Sequence, residues 1–251
     1  MTATDERQQP VGAGTTVRLA LQVLLRQIVT RGRLLAMGLL GVGVVLLGWA
    51  IGSADTSADS LETGVAVVAN IGFAIVVPVV ALVFGSGVLG ETREDGTLVY
   101  LWLRPLRRGP IVLGAYAAAL TVVLPLTVVP VVGSAAALDA GGGLVTATLI
   151  AAVVGAVGYT AVFLLLGLFL KNPIVWGLAY ILVWEGIAAG LGTGPARLAI
   201  RGYTRSILTD RTGVEQELAD LSQYAGILIP VLVAVLALAL VTWRLNRLDV
   251  A

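Results

Sequence analysis

Leu144 to Leu170 reads LVTATLIAAVVGAVGYTAVFLLLGLFL, a run without a single charged residue. As a helix rising about 1.5 Å per residue it is about 40 Å long, more than the roughly 30 Å that the hydrocarbon core of a bilayer requires. Five further stretches meet that length or come close to it: Leu34 to Gly52, Gly64 to Leu89, Ile111 to Leu138, Ile174 to Leu191 and Tyr224 to Trp243. The expected fold is therefore all-α, a polytopic membrane protein of six transmembrane helices. Residues 1–33 form a leader, 34–243 the bundle and 244–251 a tail, all within one membrane domain. The first span lies behind a long polar leader and has no small-residue cleavage site after it, so it reads as a retained helix and not as a signal peptide.

Composition agrees. Of 251 residues 58% are hydrophobic and 12% charged, the net charge is +1 and the mean hydropathy is +0.96. A soluble domain carries about 25% charged residues, so both a water-soluble globule and a disordered chain are excluded. Histidine and cysteine are absent, which removes thiolate and imidazole chemistry, disulfides and zinc sites built on those ligands. The single lysine, Lys171, follows Leu170, and a G-x-x-x-x-G-K-[ST] phosphate loop therefore cannot be written anywhere in the chain. The chain reads as a non-enzyme, with no cofactor of its own.

The placement of basic residues gives orientation. Arg7, Arg18, Arg26, Arg31 and Arg33 lie in the leader, Arg93, Arg104, Arg107 and Arg108 in the second connection, Lys171 in the fourth, and Arg244 and Arg247 in the tail. Opposite them stand only Arg197, Arg201, Arg205 and Arg211, while the first outer loop holds Asp55, Asp59 and Glu62. Both termini are expected in the cytoplasm, and the chain in the plasma membrane. In the leader, Val17, Leu21, Leu24 and Ile28 recur at helical spacing among arginines, the pattern of a helix lying in the inner headgroup layer. Pro78, Pro125 and Pro130 interrupt spans, and Gly48 with Gly52 and Gly186 with Gly190 offer close helix contacts.

Between the second and third spans lies GETREDGTLVYLWLRPLRRGPIVLG, residues 90–114. Acids at its start (Glu91, Glu94, Asp95) and bases at its end (Arg104, Arg107, Arg108) suit a short helix, with Leu98, Leu101 and Trp102 on one side and Pro105 at its close. Glu94, Gly96, Thr97 and Leu98, then Arg104 and Pro105, then Arg108 and Ile111 followed by Gly114, resemble the E-x-G-T-L … R-P … R-x-x-I-x-x-G segment of ABC type-2 permeases. These are the membrane subunits of one class of ATP-driven transporter. Size and the absence of a large outer domain are most similar to the short permeases associated with nitrous oxide reductase maturation. The resemblance implies that Glu91, Glu94, Asp95, Gly96, Thr97, Leu98, Leu101, Arg104, Pro105 and Arg108 belong to a coupling helix seated on a separate ATPase subunit, which would bind ATP and magnesium. It also implies a second permease copy or sister subunit, a membrane-lipid environment, no nucleic acid, and export. The other reading of the same helix is a membrane scaffold or assembly factor that binds a different cytoplasmic partner.

Two features fall outside that segment. From Gly192 to Gln223, Arg197, Arg201 and Arg205 repeat every four residues, which predicts amphipathic helices on the outer side. As a solvated pair they would close that end of the bundle, and as a functional element they would form an outer gate or docking face. Glu185 is the one charged residue well inside an expected span, where an uncompensated charge costs about 2.5–3.5 kcal/mol. Either it pairs with an outer arginine and fastens the outer helices, or it contacts a transported solute or proton. Asn70 and Tyr180 are expected to make interhelical hydrogen bonds, and with Glu185 and Arg201 they complete the candidate contacts of a transport path or outer gate.

Overall fold

The computed structural model describes residues 12–54, 59–94, 108–187, 199–216 and 221–247; for 91–94 it describes the backbone. All regular structure among them is helical. The elements are α1 (Ala13–Ile28), α2 (Arg31–Ala54), α3 (Ser60–Val67), a π-helical stretch π1 (Val68–Val76), α4 (Val77–Glu94), α5 (Arg108–Ala137), α6 (Leu144–Phe169), α7 (Pro173–Ala179), a second π-helical stretch π2 (Tyr180–Glu185), α8 (Ile200–Thr212) and α9 (Gln223–Arg247). α3, π1 and α4 follow one another without a break and act as one rod.

Among the described residues, five helices are long and apolar enough to cross a membrane: Arg31–Ala54, Ser60–Gly90, Arg108–Ala137, Leu144–Phe169 and Gln223–Arg247. The stretch expected as a further span from Ile174 to Leu191 is a shorter apolar helix, Pro173–Glu185, in the described part. Thirteen residues make about 20 Å, less than a bilayer core, and residues 188–198 lie outside the described ones.

Contacts sort the helix ends into two groups. The Arg108 guanidinium donates to the Leu245 carbonyl, and Arg33, Gly90 and Pro173 line one pocket. These mark an end that carries Arg31, Arg33, Arg108, Lys171, Arg244 and Arg247. At the opposite end the Gln223 amide donates to Asp210 at 2.9 Å, near Asp59, Glu62 and Asp139. α6 runs through the centre, with Ala151, Ala152, Tyr159, Phe163 and Leu164 buried. α2 is peripheral and packs on α5, where Gly52 is indispensable: a Cβ there would lie 2.6 Å from the Ala137 oxygen. The close contact expected of Gly48 and Gly52 is thus made; Gly190 lies outside the described residues.

α1 buries Thr16, Ala20, Leu24 and Ile28, a four-residue stripe turned onto α5, and leaves Arg18 and Arg26 exposed. Much of the apolar face expected to lie on lipid is therefore spent on protein, although Leu19 and Val23 remain outward. Pro125 and Pro130 sit inside a continuous α5. Pro78 is the second residue of α4, one residue past π1, and the wider turns before it accommodate the hydrogen bond that a proline cannot donate.

Candidate functional site

Among the described residues, α8 is one of the least apolar helices and one of the most enclosed. Ile200, Gly202, Tyr203, Thr204, Arg205, Ser206, Ile207 and Leu208 are all buried. The expectation of a solvated outer helix is corrected here, and the reason lies in its partners. α6 offers Gly155 and Gly158, α9 offers Gly226, and a Cβ at these positions would meet Thr204 at 3.2 Å, Ile200 at 3.4 Å and Ile207 at 2.9 Å. Two hydroxyls of α8 bond back within the helix, Thr204 on the Arg201 carbonyl at 3.0 Å and Ser206 on the Gly202 carbonyl at 2.9 Å, which lowers the cost of enclosing so polar a sequence.

The same contacts give α8 a direction. Its last turn reaches the level of Gly143, before α6 begins, while Ile200 is level with Gly158. That is about 21 Å down α6 from Leu144. α8 therefore starts deep inside the bundle and runs outward to the acidic end.

At that deep start stands Glu185, 2% exposed. Its carboxylate accepts a hydrogen bond from the Tyr159 hydroxyl, a second from the Tyr180 hydroxyl at 3.0 Å and a third from the Ile200 amide at 3.1 Å. Ala199, which precedes α8, supplies no capping side chain. Glu185 caps the helix from another segment, meeting an amide that has no partner within the helix and the positive end of its dipole. Ring contacts hold the phenols: Tyr159 stacks on Phe163 with centroids 5.9 Å apart, and Phe163 meets Tyr180 edge-on at 6.2 Å. One carboxylate thus ties α6, π2 and α8 together.

A second node lies closer to the acidic end. Asn70 accepts from Arg201 at 3.0 Å and from Arg205 at 2.7 Å on the same amide oxygen, and donates to the Ala66 carbonyl at 3.0 Å. Arg201 also approaches the backbone carbonyl of Glu185 at 3.5 Å. Of the outer arginines expected as ion-pair partners of the Glu185 carboxylate, Arg201 and Arg205 direct these bonds to Asn70 and to a carbonyl, and Arg197 lies outside the described residues. Among the described residues, the donors to the carboxylate are two phenols and backbone amides at the start of α8. The fastening of an outer helix, which the ion pair was expected to perform, is performed by neutral donors.

The four candidates Glu185, Asn70, Tyr180 and Arg201 are brought into one cluster around α8. Tyr159 and Arg205 complete it. Tyr159 is the lone tyrosine of its span, the signal that the sequence offers for it, and Arg205 stands in the sequence only as part of an outer charge repeat. Asn70 lies in π1, and Tyr180 and Glu185 in π2; such turns are frequent at functional positions in helices. Of the expected coupling residues, Asp95, Gly96, Thr97, Leu98, Leu101, Arg104 and Pro105 lie outside the described residues. Glu91 and Glu94 fall in the last turn of α4, and Arg108 opens α5. No family model matches the chain, and none of the curated proteins is similar enough to indicate a relationship.

Proposed function

We propose that this chain is the permease subunit of an ATP-driven transporter of the ABC type-2 kind, worked by a separate ATPase that docks on residues 91–108. The observation that carries the reading is where that segment sits. The E-x-G-T-L element starts at Glu94, the last residue of α4, and the R-P element precedes α5 in sequence; the rod that ends at Glu94 also bears Asn70. About 36 Å of helix connects the two, so a push at the basic end is delivered to the polar cluster. The chain cannot form a phosphate loop, so the energy must come from a partner subunit.

In this reading the basic end faces the cytoplasm of a plasma-membrane protein, as the distribution of arginines favours. Six crossings arise from the five long helices and one composite, α7 and π2 rising from the basic end to Glu185 and α8 continuing to the acidic end. Both termini then lie inside. α2 suits contact with lipid and with a second permease, having Leu35, Leu39 and Trp49 each at least 62% exposed. ATP-driven closure of two ATPases would tilt the α4 and α5 rods and alternate access to a path between two permeases, with export as the direction.

Charge reversal tests the coupling. Glu94→Arg or Arg104→Glu should lower the amount of ATPase subunit that co-purifies with the chain while leaving the amount inserted in the membrane unchanged. Undiminished co-purification would overturn the assignment of residues 91–108.

A further inference from the structure

Two cavities adjoin along α5. One, of about 790 Å³, is lined by Leu25, Arg26 and Val29 of α1, by Leu34 of α2 and by Thr121 of α5. The other, of about 310 Å³, is lined by Met37, Gly38, Val45 and Leu46 of α2 and by Pro130. Pro125, Leu126 and Val129 belong to both, so the two form one groove between α2 and α5 with its mouth at the end of α1.

The groove has the proportions of a single acyl chain. From Leu34 to Leu46 α2 rises about 18 Å, close to one leaflet of a hydrocarbon core about 30 Å thick. Gly38 leaves its wall bare, since a Cβ there would meet nothing within 4 Å.

The mouth, in contrast, is polar and basic. Arg26 lines it and is exposed, as is Arg31, the first residue of α2. Thr121 brings a hydroxyl, which donates to the Ala117 carbonyl at 2.8 Å, and a carbonyl to which Pro125, lacking an amide hydrogen, cannot donate. The three walls α1, α2 and α5 contain no aspartate or glutamate, so no wall supplies a counter-charge to the mouth. Anionic headgroups at a bilayer surface are attracted to arginines that flank a spanning helix. A second copy of the chain is the poorer complement, because an isologous contact through this groove would bring two basic mouths together.

We propose that the groove seats one anionic phospholipid from the leaflet at the basic end, with an acyl chain along Gly38 and Val45 and the phosphate at Arg26. The lipid joins α1 to α2 and α5. Its seat is independent of the transport reading and stands whether or not an ATPase docks.

The full chain, purified in a neutral detergent, would be offered equimolar phosphatidylglycerol and phosphatidylcholine with the same acyl chains, and the first lipid retained would be counted by native mass spectrometry. Phosphatidylglycerol should be retained about fivefold over phosphatidylcholine, the order of effect of one arginine on an anionic lipid. R26Q should bring that ratio close to equality. G38F fills the groove from a position with open space and should lower retention of both lipids several-fold. G43F starts from an equally open position that does not line the groove, and it should retain both as wild type does. R26Q alters an exposed side chain and keeps the test decisive should G38F fail to fold. Equal retention of the two lipids by wild type, an R26Q chain that keeps the preference, or a folded G38F chain that binds as wild type does, overturns the proposal. A wild-type dimer that excludes both lipids and that G38F splits into monomers would assign the groove to a second copy and overturn it as well.

Discussion

Glu185 shows how one carboxylate becomes affordable inside an apolar bundle. An isolated charge at that depth is strongly disfavoured, yet here donors converge on it from α6, π2 and α8. Each donor would itself be orphaned without the acid, at roughly 1–3 kcal/mol per buried group. Glu185→Ala should therefore lower stability by several kcal/mol. Tyr159→Phe, which deletes one donor and leaves the others, should cost about 1–3 kcal/mol. Denaturant unfolding in detergent, followed by tryptophan fluorescence, measures both. A Glu185→Ala midpoint equal to wild type would show that the acid does not hold α8 and would return it to the role of a solute contact.

At the scale of elements, the placement of α8 depends on what its neighbours lack. Gly155 has Thr204 and Val77 within 3.4 Å of a hypothetical Cβ, so Gly155→Leu has no space and should displace α8 from its seat. Because the chain contains no cysteine, one introduced at Ser206 reports directly. It should react slowly with a membrane-impermeant maleimide in the parent and several-fold faster once Gly155→Leu is added; equal rates would contradict the packing described here.

The same element marks the border of what the sequence makes legible. Apolar length alone locates α6 to within a residue, Leu144–Phe169 against an expected Leu144 to Leu170, and places α5 and α9 within a few residues. Length cannot reveal that the apolar run after Pro173 turns π-helical at Tyr180. Nor can it reveal that a helix as polar as α8 is buried, because glycines that admit it, Gly155 and Gly158, lie on α6, far away in sequence. Glu185, Asn70, Tyr180 and Arg201 could be singled out one by one, since polar groups in apolar surroundings are conspicuous. Their convergence on α8 is a property of the fold.

Taken as a whole molecule, the chain has a basic end, an acidic end and a polar cluster between them, joined by rods that run from one end to the cluster. In the proposed mechanism the rod of α3, π1 and α4 is the lever. One of its ends, Glu94, lies within the proposed ATPase-docking segment, and Asn70 rides on it at the polar site. The most direct test places a single cysteine at Ile71, beside Asn70, in the chain reconstituted with its co-purifying ATPase. Labelling by a membrane-impermeant maleimide is then timed without nucleotide and in an ATP-trapped state. The account predicts that the two states label at rates differing several-fold and that Glu94→Arg erases the difference. Equal rates in both states of the unmutated complex would contradict it.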